Sequence, residues 1–561
     1  MLRKITIIAL TVTLVFTMSL GSVFGCTTVF VGKDKTADGS VLFAHSEELG
    51  DTPHHLVYVP RGYHEPGAKW VGIEPNSFLD GIDYPFGPTI IDQVPMTYAF
   101  IAATCFDKAY APGDYSSGVN EMGVTIGNNM TYCKDYVRGH EYDLREGGLI
   151  WTEFTQLVLE RASTAREGVE IIGSLLEQCG VESGDPGTAY MIADRNEGWV
   201  IELSIYGQWM AKKLPDDGYY VLPNSYTIGA EADLDSPDVL YSPDIISYAV
   251  SKGWYDPDAG VPFSFKDVYG TASNQAAESN NMRIREVGKM LDTGLISKEK
   301  MFEVMRTCYE DTDIYRTNAN GSPLSVSGIR TVSRLSTEAS CVVQLRSDLP
   351  LDIGTTIWWA MSTAKTNPYI PYYPGATTFP PEYQVGDWDN RNNPVHRDSS
   401  AYWRAFDLAR LVHDTYTKSF PYVKSVWDEF EKTAFDNQAA LEAEAMKIRK
   451  THGVEAAALY LNNYSNKLAR EAYEKTGVLI KQLRNQIAMK VDVSASVEKL
   501  TGNQNVLTIN IHDVYFNGTE NDFTLTVKIN NNAAGVYEVG DYKVYVDTKG
   551  NTQIRECYIV N

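Results

Sequence analysis

Two periodicities divide the chain. Between residue 26 and about residue 224, apolar and polar positions mostly alternate in short runs broken by turn residues, the period-two pattern of strands. Residues 26–32 and 40–45 predict a hairpin around 33–39, and residues 188–194 and 198–204 a second around Arg195-Asn196-Glu197. One helical block interrupts this stretch, with apolar stripes over 151–162 and 166–179. Thr164 and Glu167 are spaced as a capping box, and Gly180 is a stop signal. Helices are expected again over 281–291 and 297–309, and strands over 342–345 and 355–359. An antiparallel sheet system covered by helices on both sides, a layered α+β domain, fits this alternation.

Residues 368–394 are rich in Pro, Tyr, Asn and Gly and predict a surface-wrapping loop. Residues 399–489 hold few Pro or Gly and repeat apolar residues at helical spacing, so two or three long helices are expected. Alternation returns at 506–512, 523–529 and 542–546, with a turn at 547–551. The expected organisation is a main α+β domain over 26–398, a helical extension over 399–489 and a small β-sandwich-like domain over 490–561.

Residues 1–25 differ from all that follows. Arg3 and Lys4 precede an apolar run over 5–20 and a short tail of mostly small residues, the pattern of a removable secretory signal. The run is short for a membrane span. Val23 and Gly25 suit cleavage before Cys26, which places the mature chain outside the cell or at its surface. No other transmembrane run follows. Of the 561 residues, 43% are hydrophobic and 22% charged, which excludes a disordered or collagen-like chain. A net charge of −23 argues against nucleic-acid and anionic-membrane partners.

No P-loop, Rossmann glycine fingerprint, zinc-helix motif or Gly-x-Ser-x-Gly elbow is present. His54 and His55 lack ligand partners at a suitable spacing and read as a solvent-facing loop pair; the acidic run 310–313 reads as a solvated helix end. No pair among Cys26, Cys105, Cys133, Cys179, Cys308, Cys341 and Cys557 has zinc or redox spacing, and an odd count sets one thiol apart. The other six form up to three disulfides or a reduced buried set. Cleavage before Cys26 would put a thiol and a free α-amine on one residue. That amine, with an ordinary pKa of about 7.7–8.0, is a usable base for a thiol near 8.5. Three readings of Cys26 stay open on local sequence: nucleophile, lipidated first residue of a lipoprotein, and structural cysteine.

The stretch Cys26-Thr27-Thr28-Val29-Phe30-Val31-Gly32-Lys33 is followed by Ala37-Asp38-Gly39-Ser40-Val41-Leu42-Phe43-Ala44. Further on come Gly118-Val119-Asn120-Glu121-Met122-Gly123-Val124 with Gly127-Asn128, then Ala189-Tyr190-Met191-Ile192-Ala193-Asp194 and Gly198-Trp199-Val200-Ile201-Glu202. Val221-Leu222-Pro223-Asn224, Val343-Gln344-Leu345-Arg346 and residues 371–375 complete the series. In this order they resemble the bacterial N-terminal-nucleophile (Ntn) cysteine dipeptidases, relatives of choloylglycine hydrolases and penicillin V acylases. The resemblance covers residues 26–487.

It implies an αββα sandwich of two antiparallel sheets between helix layers, with Cys26 as nucleophile and its own amine as base. Asn224 matches the oxyanion asparagine, although turn preferences alone make it a turn residue after Pro223. A backbone N–H near Asn128 is the implied second donor, and Arg283 matches an arginine near the nucleophile, with Arg285 a competitor. Where the family has Ala-Arg-Asn-Glu-Asp, this chain has Ala44-His45-Ser46-Glu47-Glu48. Glu48 would then hold the amine and thiol, and His45 would stand where an arginine meets substrate. The implied activity is hydrolysis of dipeptides through a thioester, without cofactor or metal. Other small amides, such as acylated amino acids and bile conjugates, are the second enzymatic reading. A noncatalytic lipid-anchored surface protein with an adhesive terminal β domain is the third. Small peptides are the expected partners, a homo-oligomer is compatible with the sequence, and the partner of the last domain is open.

Overall fold

The computed structural model describes residues 25–48, 50, 52–73, 87–104, 115–136, 147–181, 186–386, 392–486, 490–499, 504–514, 520–530, 532–540, 542–547 and 552–557. Residues 1–24, Cys105, residues 387–391 and most of the 547–551 turn lie outside them.

Two large antiparallel sheets carry the main body. Their strands, in chain order, are β1 (Gly25–Val31), β2 (Val41–Glu48), β3 (Leu56–Val59), β4 (Phe100–Thr104), β5 (Tyr115–Asn120) and β6 (Thr125–Met130). Then follow β7 (Thr188–Ala193), β8 (Gly198–Leu203), β9 (Trp209–Lys213), β10 (Tyr219–Leu222), β11 (Val239–Tyr241), β12 (Ala339–Leu345), β13 (Thr355–Met361) and β14 (Ile370–Tyr372). One sheet runs β10-β1-β2-β12-β13-β14 and the other β11-β9-β8-β7-β6-β5-β4-β3. Both expected hairpins are present, β1 with β2 and β7 with β8.

The two sheets meet closely. Phe30 of β1 lies against Gly198 at the start of β8, where a Cβ would come within 2.3 Å of the ring. Phe43 and His45 of β2 similarly cover Gly127 of β6. Glycine at both positions is what lets one strand approach the next without strain.

Helices α1 (Trp151–Arg161) and α2 (Ala165–Cys179) pack on β5 to β8. Thr164 accepts the Glu167 N–H at 3.1 Å, but the Glu167 carboxylate reaches back to the Ser163 N–H at 2.8 Å, one residue earlier than the capping-box spacing implies. Gly180 ends α2 with φ 74°, a conformation that costs glycine little. Against the other sheet pack α3 (Glu278–Leu291), α4 (Lys298–Met305), α5 (Ala401–Asp414) and α7 (Val454–Lys481), while α6 (Tyr416–His452) runs alongside α7. Gly453, at φ 95°, is the single residue between α6 and α7. The fold is thus α+β, as the periodicity predicts, and residues 399–489 contain three long helices.

The surface-loop expectation for 368–394 needs correction. Ile370–Tyr372 is the edge strand of the first sheet, and Tyr369, Tyr372 and Tyr373 are almost fully buried. Pro371 is tolerated because an edge strand leaves one N–H position unpaired. Residues 310–313 form a largely exposed turn.

Beyond residue 490, Lys490–Lys499, Asn505–Val514 and Glu520–Ile529 form one three-stranded sheet, and Gly535–Val539, Tyr542–Val546 and Thr552–Cys557 another. Leu507, Ile509, Ile511, Val539, Tyr542, Val544 and Val546 form their own apolar cluster. Three of these six strands were not legible in the pattern.

Candidate active site

Cys26 is the second residue of β1 and only 3% exposed. Each of its polar groups meets a side chain from a different element. Its N–H donates to Asn224 Oδ1 at 3.1 Å, its thiol to Glu47 Oε1 at 2.9 Å, and its carbonyl accepts from Arg283 Nη1 at 2.5 Å and Asn129 Nδ2 at 2.9 Å. Neighbouring strands fix the first two. Cys26 stands opposite Glu47 in the β1–β2 ladder, and Asn224 follows Pro223 just past the end of β10 on the other side of β1.

The carboxylate on the thiol is therefore Glu47, where the family pattern points to Glu48. Side chains alternate across a strand, so Cys26 and Glu47 share one face and Glu48 takes the other. Glu48 binds Arg330 Nη2 at 2.6 Å and accepts a longer bond from Ser46 Oγ at 3.4 Å. Its charge still opposes ionisation of the nearby thiol. The Arg330 guanidinium lies directly beside Gly25: a Cβ there would overlap Nη2, and Asn224 Oδ1 would be 2.8 Å away. A side chain ahead of Cys26 would have to displace the Arg330 guanidinium from this position.

His45 is buried two residues before Glu47. Its Nε2 lies 3.1 Å from Glu47 Oε2, and its Nδ1 2.8 Å from Thr28 Oγ1. Thr28 in turn donates to Asn129 Oδ1 at 2.6 Å, while Asn129 Nδ2 donates to the carbonyls of Cys26 and Leu222, both at 2.9 Å. Asn128 faces the opposite side of β6, where its amide donates to Ser116 O at 2.6 Å. Among the Cys26, His45 and Glu47 side chains, ligand atoms lie within 4.8 Å of one another.

Arg283 extends from α3 and is fully buried, whereas its competitor Arg285 is 42% exposed and pairs with Glu278 and Glu286. The Arg283 fork also reaches Thr27 Oγ1 at 3.1 Å, Asn224 Oδ1 at 2.9 Å and Asn280 Oδ1 at 2.7 Å. Burial, with the Arg330 guanidinium second, lowers its proton affinity to about 9, so it stays cationic at neutral pH. Asn224 is held further by donation to Met130 O at 3.0 Å and by Asn274 and Asn280 amides on its own carbonyl.

Burial is the main reason the Cys26 thiol is pushed far above its usual pKa, with Glu47 adding to the effect. With Gly25 attached the thiol is held protonated. Cys133, Cys308 and Cys341 are buried free thiols and Cys179 a half-buried one, so none of these four forms a disulfide. The reading of His54 and His55 as solvent-facing is overturned. They are 0% and 4% exposed, His54 Nδ1 bonds Thr52 O at 3.1 Å, and Tyr402 covers His55 edge-on. Burial lowers both pKa values, that of His55 to about 4.

The sequence brought Cys26, His45, Asn224 and Arg283 to notice, and these meet at one place. Glu47, Thr28, Asn129 and Arg330 were missed. The first three lie inside or beside quoted motifs; Arg330 has no motif around it.

The profile of peptidase family C69 matches residues 25–429, most of the chain, and begins one residue before Cys26. The chain belongs to peptidase family C69. Curated proteins similar to it include a probable dipeptidase of Salmonella dublin, 27% identical over 66% of this chain and 84% of that protein. Probable dipeptidase B of Streptococcus pyogenes serotype M1 is 24% identical over 73% of this chain and 82% of its own length. A probable dipeptidase of Latilactobacillus sakei is 23% identical over 80% and 95%. The C69 match spans both sheets, so Cys26, Glu47, Asn224 and Arg283 all lie within it. Among the described residues, no helix is long and apolar enough to cross a membrane.

Proposed function

We propose that this C69 chain is an exported dipeptidase of the Ntn-hydrolase type, with the αββα sandwich of that class, whose nucleophile is Cys26 after cleavage behind Gly25. The observation that carries the reading is the convergence on Cys26: side chains from β2, α3, β6 and the end of β10 each hold one of its polar groups. A structural cysteine has no need of such a setting.

Cleavage frees the α-amine and removes Gly25 from between Arg330 and Asn224. The amine takes the thiol proton and sulfur attacks the amide carbonyl of the dipeptide. One N–H of Asn224 Nδ2 is spent on Met130 O; the other is available for the oxyanion, beside a backbone N–H. Such a donor contributes about 3–4 kcal/mol to the transition state. The protonated amine then supplies the leaving nitrogen, and water hydrolyses the thioester. Glu47 and Arg283 keep the nucleophile in place by holding its sulfur and carbonyl. Residues 490–561 are proposed to be a separate β module appended to the peptidase.

The test compares protein beginning at Cys26, protein retaining residues 1–25, and Cys26→Ala, each against a dipeptide panel. Hydrolysis is expected only from the first. Equal turnover by the uncleaved chain or by Cys26→Ala would overturn the reading.

A further inference from the structure

We infer that Cys26, Glu47 and His45 form a binding site for a borderline-soft divalent cation of the zinc class, and that its occupation withdraws the nucleophile. The site itself stands on the three side chains; its effect on turnover rests on the function proposed above.

Three observations carry it. The first is spacing. Zinc bonds to sulfur, nitrogen and oxygen of about 2.0–2.3 Å put neighbouring tetrahedral ligands about 3.3–3.8 Å apart. Here Sγ to Oε1 is 2.9 Å and Oε2 to Nε2 is 3.1 Å, and all three ligand atoms fit within 4.8 Å, so small side-chain rotations accommodate one ion. Thiolate, imidazole and carboxylate together favour zinc over magnesium or calcium.

The second is the direction of the hydrogen bonds behind His45. Asn129 gives its N–H groups to two backbone carbonyls, which turns its oxygen toward Thr28. Thr28 spends its only proton on that oxygen, so it must accept from His45 Nδ1–H. The other ring nitrogen, Nε2, is thereby aimed at Glu47, whose other oxygen accepts the Cys26 thiol. A ligating histidine whose second nitrogen donates to a fixed acceptor is the usual support of a metal site.

The third is charge. One proton bridges His45 Nε2 and Glu47 Oε2, since both cannot be lone-pair acceptors at 3.1 Å. With the thiol protonated, the trio is neutral overall. A divalent ion displaces the thiol proton and the bridging proton, releasing two H⁺ and leaving thiolate, carboxylate, imidazole and M²⁺, again neutral. The exchange introduces no uncompensated charge into a site where all three residues are at most 3% exposed. In the cleaved chain the Cys26 amine adds a fourth donor, closing a five-membered chelate with its own sulfur.

The experiment uses the full chain processed to Cys26, stripped with a chelator and titrated with Co²⁺ and with Zn²⁺. One equivalent of Co²⁺ should produce thiolate-to-cobalt charge-transfer absorption that Zn²⁺ abolishes. Cys26→Ser should remove the band, and His45→Gln should weaken binding at least about tenfold. Zinc should also stop dipeptide hydrolysis, and chelator should restore it. Absence of the band in the unmutated protein would overturn the site whatever the variants do, as would equal cobalt affinity in folded His45→Gln. Turnover of the stripped protein is measured separately, so a protein that binds cobalt but hydrolyses nothing would refute the dipeptidase reading and leave the cation site standing.

Discussion

Cys26 and Glu47 are opposite partners across the β1–β2 ladder, and the pairing puts the thiol 2.9 Å from a buried carboxylate oxygen. Gly25 is opposite Glu48 in the same ladder, and Glu48 is engaged by Arg330. Two adjacent acids therefore have different tasks, and substitution separates them. Glu47→Gln keeps the shape and removes a charge-assisted bond of about 1.5–3 kcal/mol, so kcat should fall about tenfold to a hundredfold with little change in KM. Glu48→Gln leaves a buried guanidinium without its carboxylate and should cost about 3 kcal/mol of stability, read by thermal unfolding. A normal Tm with lost turnover in Glu48→Gln, together with full activity in Glu47→Gln, would reverse the assignment.

Why this distinction was hidden in the sequence is a matter of burial. The whole of β2 is buried, on one face by the second sheet and on the other by helices, so its pattern carries no alternation to say which acid faces Cys26. Only the register across the 33–39 turn decides it. The hairpins, helix α2 with its Gly180 stop, and the change of texture near residue 490 were legible because local rules govern them. Ile370–Tyr372 was not, because its central proline masks a strand that exists only as an edge. Arg330 belongs to a stretch without regular structure, where no period marks a buried cation. His55 meets the backbone of Tyr383 and the edge of Tyr402, roughly 330 to 350 residues away in sequence, which no local pattern registers.

Thiol chemistry should follow burial. Desolvation pushes Cys133 up to about 11 and Cys308 and Cys341 up to about 12. In native protein at pH 8, iodoacetamide should leave all three unmodified, and peptide mapping should find them alkylated only after denaturation. Cys26 should resist the reagent while Gly25 is attached and react once it is terminal. Rapid native labelling of Cys341, which stands beside His45 in the β2–β12 ladder, would show that the sheet face opens far more than this packing allows.

The contact between the sheets should tolerate no added carbon. A Cβ at Gly198 would lie 2.3 Å from the Phe30 ring, and Phe30 is completely buried on the strand that begins with Gly25 and Cys26. Gly198→Ala should therefore destabilise by about 1–3 kcal/mol through overpacking, measurable as a lower urea midpoint at unchanged m. Unchanged stability would mean that Phe30 has room to turn aside.

Glu202 sets a pH dependence of its own. It is fully buried on β8, and desolvation raises its pKa to about 7 even though the Thr227 N–H and hydroxyl and the Ile228 N–H all point at its carboxylate. The unfolded chain would release this proton near the ordinary glutamate value of about 4.3. Below that pH both states hold the proton and the contribution is complete; above it the unfolded state ionises first, and the contribution is lost as pH rises through 7. The size is on the order of 3 kcal/mol. Groups with lowered values, such as Asp38 and Glu286, act in the opposite direction and only in acid. The difference in unfolding free energy between the unmutated protein and Glu202→Gln, measured from pH 5 to 8, isolates this group. The unmutated protein should lose stability relative to the variant across that range. Parallel curves would mean that the three donors hold Glu202 ionised throughout and that its burial costs nothing further as pH rises.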